Sequence, residues 1–106
     1  MALIHWTETA LKDIDAIAEF IALDSTFYAR KFVNKLFATT IKLEKYSQIG
    51  KPVPELTGYD YRQIIFQKYR IIYRIENDDV FIISVHHSAR LLSNNDTFKD
   101  LFEQDN

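Results

Sequence analysis

The chain has no cysteine, so neither a disulfide framework nor a thiolate zinc site is open to it, and the expected compartment is the reducing cytoplasm. Glycine and proline occur twice each, and no long polar low-complexity tract is present, which argues for a packed core over extended disorder. No segment approaches the ~20 apolar residues of a membrane span. The opening Met1-Ala2-Leu3-Ile4-His5-Trp6 lacks the basic and apolar stretches of a signal peptide. Nor is there a phosphate-binding Walker loop, a dinucleotide fingerprint or a nucleophile elbow. No cofactor is expected, and a metal site is not expected either, because adjacent His86 and His87 point to opposite sides of a strand and cannot chelate together.

What the chain does have is aromatic and β-branched residues in periodic runs. Its 106 residues suit a single domain spanning 1–106. Ala2 to Trp6 reads as an edge or joining strand, and Thr7 as the N-cap of a helix whose apolar positions Ala10, Ile14, Ile17, Ala18 and Ile21 fall on one face. Asp24-Ser25 caps a second helix, marked by Tyr28, Phe32, Leu36, Thr40 and Leu43 and reaching about Tyr46. Gly50-Lys51-Pro52-Val53-Pro54 is the concentrated breaker signal. Three strands follow at about Tyr59 to Phe66, Tyr69 to Ile75 and Val80 to His87, joined closely enough for an antiparallel meander. Asn95 to Phe102 has the makings of a short terminal helix. The order β-α-α-β-β-β describes an α+β domain, a helical hairpin packed on one face of a small antiparallel sheet.

A net charge of −2 argues against generic nucleic-acid binding, yet it averages two unlike regions. Arg30 to Arg74 carries ten basic and three acidic residues, while the first helix and the C-terminal tail (Asp96, Asp100, Glu103, Asp105) are acidic. Strand alternation suggests a sheet with one dry face and one wet, cationic face bearing Arg62, Arg70 and Arg74. The competing reading is structural. Arg62 can pair with Glu55 or Asp60, and Arg70 and Arg74, four residues apart, are too distant to clamp one phosphate.

In order along the chain, Trp6-Thr7, Ala10 and Asp13-Ile14, then Gly50-Lys51-Pro52-Val53-Pro54-Glu55-Leu56, Tyr61-Arg62, Tyr69-Arg70-Ile71-Ile72-Tyr73 and Val85-His86-His87-Ser88-Ala89-Arg90 resemble the ParE/RelE superfamily of toxins from type II toxin–antitoxin modules, the plasmid-stabilisation proteins. The last segment fits the family's V-x-H-x-x-R. The resemblance implies a growth-inhibiting toxin neutralised by a cognate antitoxin in a hetero-oligomer. It also implies one of two targets: DNA gyrase for the ParE branch, or mRNA in the ribosomal A site for the RelE branch.

Cleavage of RNA through its 2′-hydroxyl requires a base, an acid and cations for the phosphate. Arg62, Arg70 and His87 are the nuclease candidates, with Arg74, Arg90 and His86 adding charge and proton transfer and Glu55 a possible base. Against this, the segment after His87 has no tyrosine of the kind the RelE branch often carries, and it turns acidic where a ribosome presents dense phosphate. The sequence therefore favours a ParE-like toxin acting by binding rather than as an enzyme, with Arg62, Arg70, Arg74, His87 and Arg90 as partner- and target-binding residues. A RelE-like ribosome-dependent mRNA endonuclease is the alternative, and a non-toxic module retaining only antitoxin binding a further one.

Overall fold

The computed structural model describes residues 1–103; Asp105 of the acidic tail lies outside them. Among the described residues the chain runs β1 (Ile4–Trp6), α1 (Glu8–Ala22), α2 (Thr26–Ile41), a 3₁₀ turn (Lys42–Glu44), β2 (Lys51–Pro52), a 3₁₀ turn (Pro54–Leu56), β3 (Arg62–Phe66), β4 (Tyr69–Glu76), β5 (Asp79–His87), a 3₁₀ turn (Leu92–Asn94) and α3 (Lys99–Glu103). The strands form one sheet in the order β1-β5-β4-β3-β2, parallel between β1 and β5 and antiparallel elsewhere.

Thr7 and Ser25 cap the two long helices. Each holds an extended backbone while its hydroxyl accepts from the backbone N–H three residues on, Ala10 and Tyr28 respectively, both at 3.2 Å. Thr7 also donates its hydroxyl to the Ile82 carbonyl at 2.8 Å, so the first cap is pinned to β5. α2 is shorter than its apolar period suggests. It ends at Ile41, and the 3₁₀ turn tightens the backbone before the loop.

Both hairpins turn in two residues. Asn77 and Asp78 hold positive φ (51° and 68°), the conformation such tight turns require and these side chains tolerate. The Gly50–Pro54 segment contributes a two-residue edge strand, β2, which the expected order lacks. Proline is tolerated in it because an edge position need not donate to a ladder.

The helices cover one face of the sheet. Ala10, Ile14, Phe32 and Leu36 meet Ile71, Tyr73, Val80, Ile82 and Val85 in the main core. The opposite face carries its own apolar cluster of Val53, Leu56, Ile72, Leu92 and Phe98, the last wholly buried. The C-terminal segment thus lies across the side of the sheet expected to be wet.

Candidate functional site

A two-residue hairpin fixes which residues share a face, and the β3–β4 turn at Gln67-Lys68 sets Arg62 opposite Tyr73, Gln63 opposite Ile72 and Ile65 opposite Arg70. Tyr73 belongs to the core beneath the helices, whereas Ile72 belongs to the cluster on the reverse. Arg62 therefore lies on the helix side and Arg70 and Arg74 on the other. The expected common face of three arginines does not form.

Each arginine has a separate environment. Arg62 donates through one guanidinium nitrogen to the Gly50 carbonyl at 2.8 Å and the Gln48 carbonyl at 3.3 Å, tying down the loop before β2. Arg70 is buried at 8 % exposure. Its two terminal nitrogens each donate to a different oxygen of Glu55 at 2.8 Å, a bidentate fork, and one also reaches Gln63 at 3.2 Å. Its Nε is buried without a partner. Arg74 is half-exposed, lies over the Tyr61 ring at 5.9 Å and approaches Glu76 at 3.7 Å. Arg90 is exposed, in the turn after β5.

Glu55, considered above as a base, is held below the ordinary carboxylate range chiefly by hydrogen bonds from Arg70, against a smaller opposing effect of burial. A carboxylate so stabilised is a poor proton acceptor.

The two histidines diverge as the strand alternation requires. His86 is buried on the face of Arg70, its cross-strand partner. Its Nδ1 accepts from the Asn95 amide at 3.0 Å and its Nε2 donates to the Arg90 carbonyl at 3.0 Å, a pairing that calls for the neutral ring. The Asn95 amide also reaches the Ser84 hydroxyl at 3.2 Å, and Ser84 in turn donates to Asp13 of α1 at 2.9 Å. Asp13 accepts the Val85 N–H at 3.0 Å as well, satisfying the edge of β5 beyond the point where β1 ends. Burial raises the Asp13 pKa, partly offset by these hydrogen bonds. A polar chain thus links α1, β5 and the C-terminal segment. Asp13 and Asn95 are residues whose part in it no sequence spacing announced.

His87 is half-exposed on the helix side, with Nδ1 accepting from the Ala89 N–H at 3.1 Å and its ring edge-on to Tyr69 at 5.2 Å. Its sheet face is that of Arg62 and not of Arg70, so the three nuclease candidates do not converge on one open cleft. Among the described residues no group of three or more His, Asp or Glu side chains could hold a metal ion, and no helix is long and apolar enough to cross a membrane.

A second anchor lies under the β2 loop. The Tyr73 hydroxyl donates to the Ser47 carbonyl at 2.7 Å and accepts from the Gly50 N–H at 2.9 Å. A Cβ on Gly50 would stand 2.5 Å from that hydroxyl and 2.8 Å from the Gln63 carbonyl, so glycine there is a requirement of close approach.

Comparison with known proteins places this architecture. Toxin RelE2 of Caulobacter vibrioides (strain ATCC 19089 / CIP 103742 / CB 15) is 29 % identical over 92 residues, covering 86 % of this chain and all of the relative. A solved structure described as the chromosomal ParDE TA system from P. aeruginosa superposes with a TM-score of 0.68 at 20 % identity, over 82 % of this chain and 96 % of that one, which establishes the shared fold. The profile of the ParE toxin of the type II toxin–antitoxin system, parDE, matches residues 4–92, and the chain belongs to that toxin family.

Proposed function

We propose that the protein is a ParE-like toxin that arrests growth by binding and inhibiting DNA gyrase in the cytoplasm, and that a cognate antitoxin neutralises it. The observation that carries this reading is the internal use of the cations a nuclease needs. Arg70 is buried and forked onto Glu55, and Arg62, although it lines a cleft with Pro52, Asp60 and Tyr61, gives one guanidinium nitrogen to loop carbonyls and lies on the opposite sheet face, so the two do not converge on one scissile phosphate. Binding makes a lesser demand, since exposed charge and a firm platform suffice. In this reading Arg74, Arg90 and His87, which retain exposure, contact the target, and Arg62 and Arg70 hold the platform in shape.

The test is a pair of assays on purified protein. Supercoiling by gyrase should be blocked, or cleaved DNA trapped, and Arg74→Ala combined with Arg90→Ala should weaken the effect while leaving the fold intact. Translated mRNA should show no new cuts by primer extension. Normal supercoiling in the presence of folded protein would refute the proposal.

The similarity to a relative named as a RelE toxin motivates a second reading, the ribosome-dependent mRNA endonuclease. It requires Arg70 to leave Glu55 on the ribosome, and codon-linked cuts abolished by Arg70→Ala would favour it. Harmless overexpression of soluble protein would point instead to a module that retains antitoxin binding alone.

A further inference from the structure

We infer that the helical hairpin is a self-association surface, on which α1 of one copy lies antiparallel along α2 of a second. The outward stripe of α1 consists of Glu8, Lys12, Asp15 and Glu19 and is continued by Leu23 just past its end, all exposed. The outward stripe of α2 consists of Phe27, Lys31, Asn34 and Ala38 and is continued by Lys42 at the start of the 3₁₀ turn, also exposed, with Arg30 and Lys35 flanking it and no acidic residue between Thr26 and Ile41. One helix of the pair thus presents net negative charge and the other is wholly cationic.

Apart from Glu8, which pairs with Lys12 along α1 at 3.3 Å, that complementarity is not consumed within the molecule. Among the described residues Asp15, Glu19, Arg30, Lys31 and Lys35 take part in no ion pair, and no salt bridge joins α1 to α2, because both sets project outward rather than across the seam. Two hairpins related by a two-fold axis parallel to the helices bring α1 of each copy over α2 of the other. Counting outward from the turn at equal rise, Glu19 comes level with Arg30 and Lys31, Asp15 with Asn34 and Lys35, and Glu8 with Ile41 and Lys42. The same operation brings both hairpin turns to one end. There Leu23 and Phe27, 82 % and 62 % exposed in the single chain, would cover their symmetry mates.

The hairpin face is about 22 by 20 Å in plan. With side-chain relief it approaches the ~800 Å² per partner of a standard interface. Every contact occurs twice, so modest pairs add up.

The experiment uses two charge-reversed chains. Variant one carries Asp15→Lys and Glu19→Lys; variant two carries Lys31→Glu and Lys35→Glu. Sedimentation of the wild-type chain at low salt should show dimers, and raising NaCl from ~50 to ~500 mM should weaken them several-fold. Each variant alone places like charges against each other and should be monomeric. Their equimolar mixture should dimerise again, since each supplies what the other lacks. Leu23→Cys in this cysteine-free chain should form an inter-chain disulfide on mild oxidation, because the turns share an end. The inference is overturned by a wild-type chain that stays monomeric from about 1 to 200 μM, by a variant that dimerises as wild type does, or by a mixture that remains monomeric. If reversal on α2 instead abolishes binding of an acidic helical peptide by a chain that is always monomeric, the face belongs to another partner and self-association is refuted.

Discussion

Removing Glu55 should destabilise the protein more than removing Arg70, although Glu55 is the more exposed of the two, its side chain 36 % accessible against 10 % for arginine. The asymmetry comes from what each substitution leaves behind. Glu55→Gln strips the anion from a guanidinium that water barely reaches, whose Nε already lacks a partner and which keeps only neutral acceptors, the introduced amide oxygen and Gln63 at 3.2 Å. Uncompensated buried charge costs about 3–5 kcal/mol; with the solvent access on the Glu55 side, about 2–3 kcal/mol is the reasonable expectation. Arg70→Met takes away the charge and keeps most of the buried stem, and the carboxylate left behind turns to water. Its cost should be about 1 kcal/mol, mainly imperfect packing. The double variant should resemble Arg70→Met alone, because with the cation gone the anion has nothing to offset.

For a chain of this length 2–3 kcal/mol corresponds to a drop of roughly 8–12 °C in Tm. Urea denaturation of the four proteins forms the cycle. The wild-type pair also predicts a pH signature: a carboxyl held below its ordinary 4.5 contributes stability that is complete above that value and is lost as pH falls through the folded-state pKa. Glu55→Gln should flatten this acid limb. If Arg70→Met proves as costly as Glu55→Gln, or if the double variant is worse than either, the guanidinium is not the stranded charge and the reasoning fails.

Gly50→Ala should cost about 1–3 kcal/mol through overpacking against Tyr73, and Tyr73→Phe about 1–3 kcal/mol by leaving the Gly50 N–H and Ser47 carbonyl unbonded; thermal melts of both check this, and a neutral Gly50→Ala would contradict the close approach. Asp13, raised above its ordinary 3.8, has the opposite pH sign to Glu55: the folded chain keeps a proton the unfolded chain has lost, so stability declines as pH rises from that value through the folded-state pKa. Asp13→Asn should remove this decline in denaturation curves taken between about pH 4 and 7. Phe98→Ala should cost about 3–5 kcal/mol and speed amide exchange selectively between Leu91 and Glu103, which uniform exchange across the chain would refute.

Much of the fold was legible because it rests on local chemistry. The 3.6-residue period of Ile14, Ile17 and Ile21, the caps Thr7 and Ser25, and the tight turn at Asn77-Asp78 all state their roles within a few residues. The parallel pairing of β1 with β5 was hidden, since a three-residue strand carries no mark of its partner. The facing of Arg62 was legible and was missed. A two-residue turn at Gln67-Lys68 already implies that Arg62 stands across from Tyr73, away from Arg70, whereas counting alternation along each strand separately loses that link. The second apolar cluster was obscured for another reason: Leu92 and Phe98 sit among Ser, Asn, Asp and Thr, and dispersed apolar residues in a polar stretch show no period.

The parallel ladder from Ile4 against Val80 to Trp6 against Ile82 joins the beginning of the chain to its last strand. During synthesis, then, the helical hairpin emerges long before the sheet that must support it, and β1 has no strand partner until Asp79 and the residues after it have left the ribosome. A product interrupted anywhere upstream lacks the strand that closes the core. For a toxin this makes harm conditional on completion: an abandoned fragment is refuse for proteases, and the interval before the final strand appears is time in which an inhibitor can already be waiting.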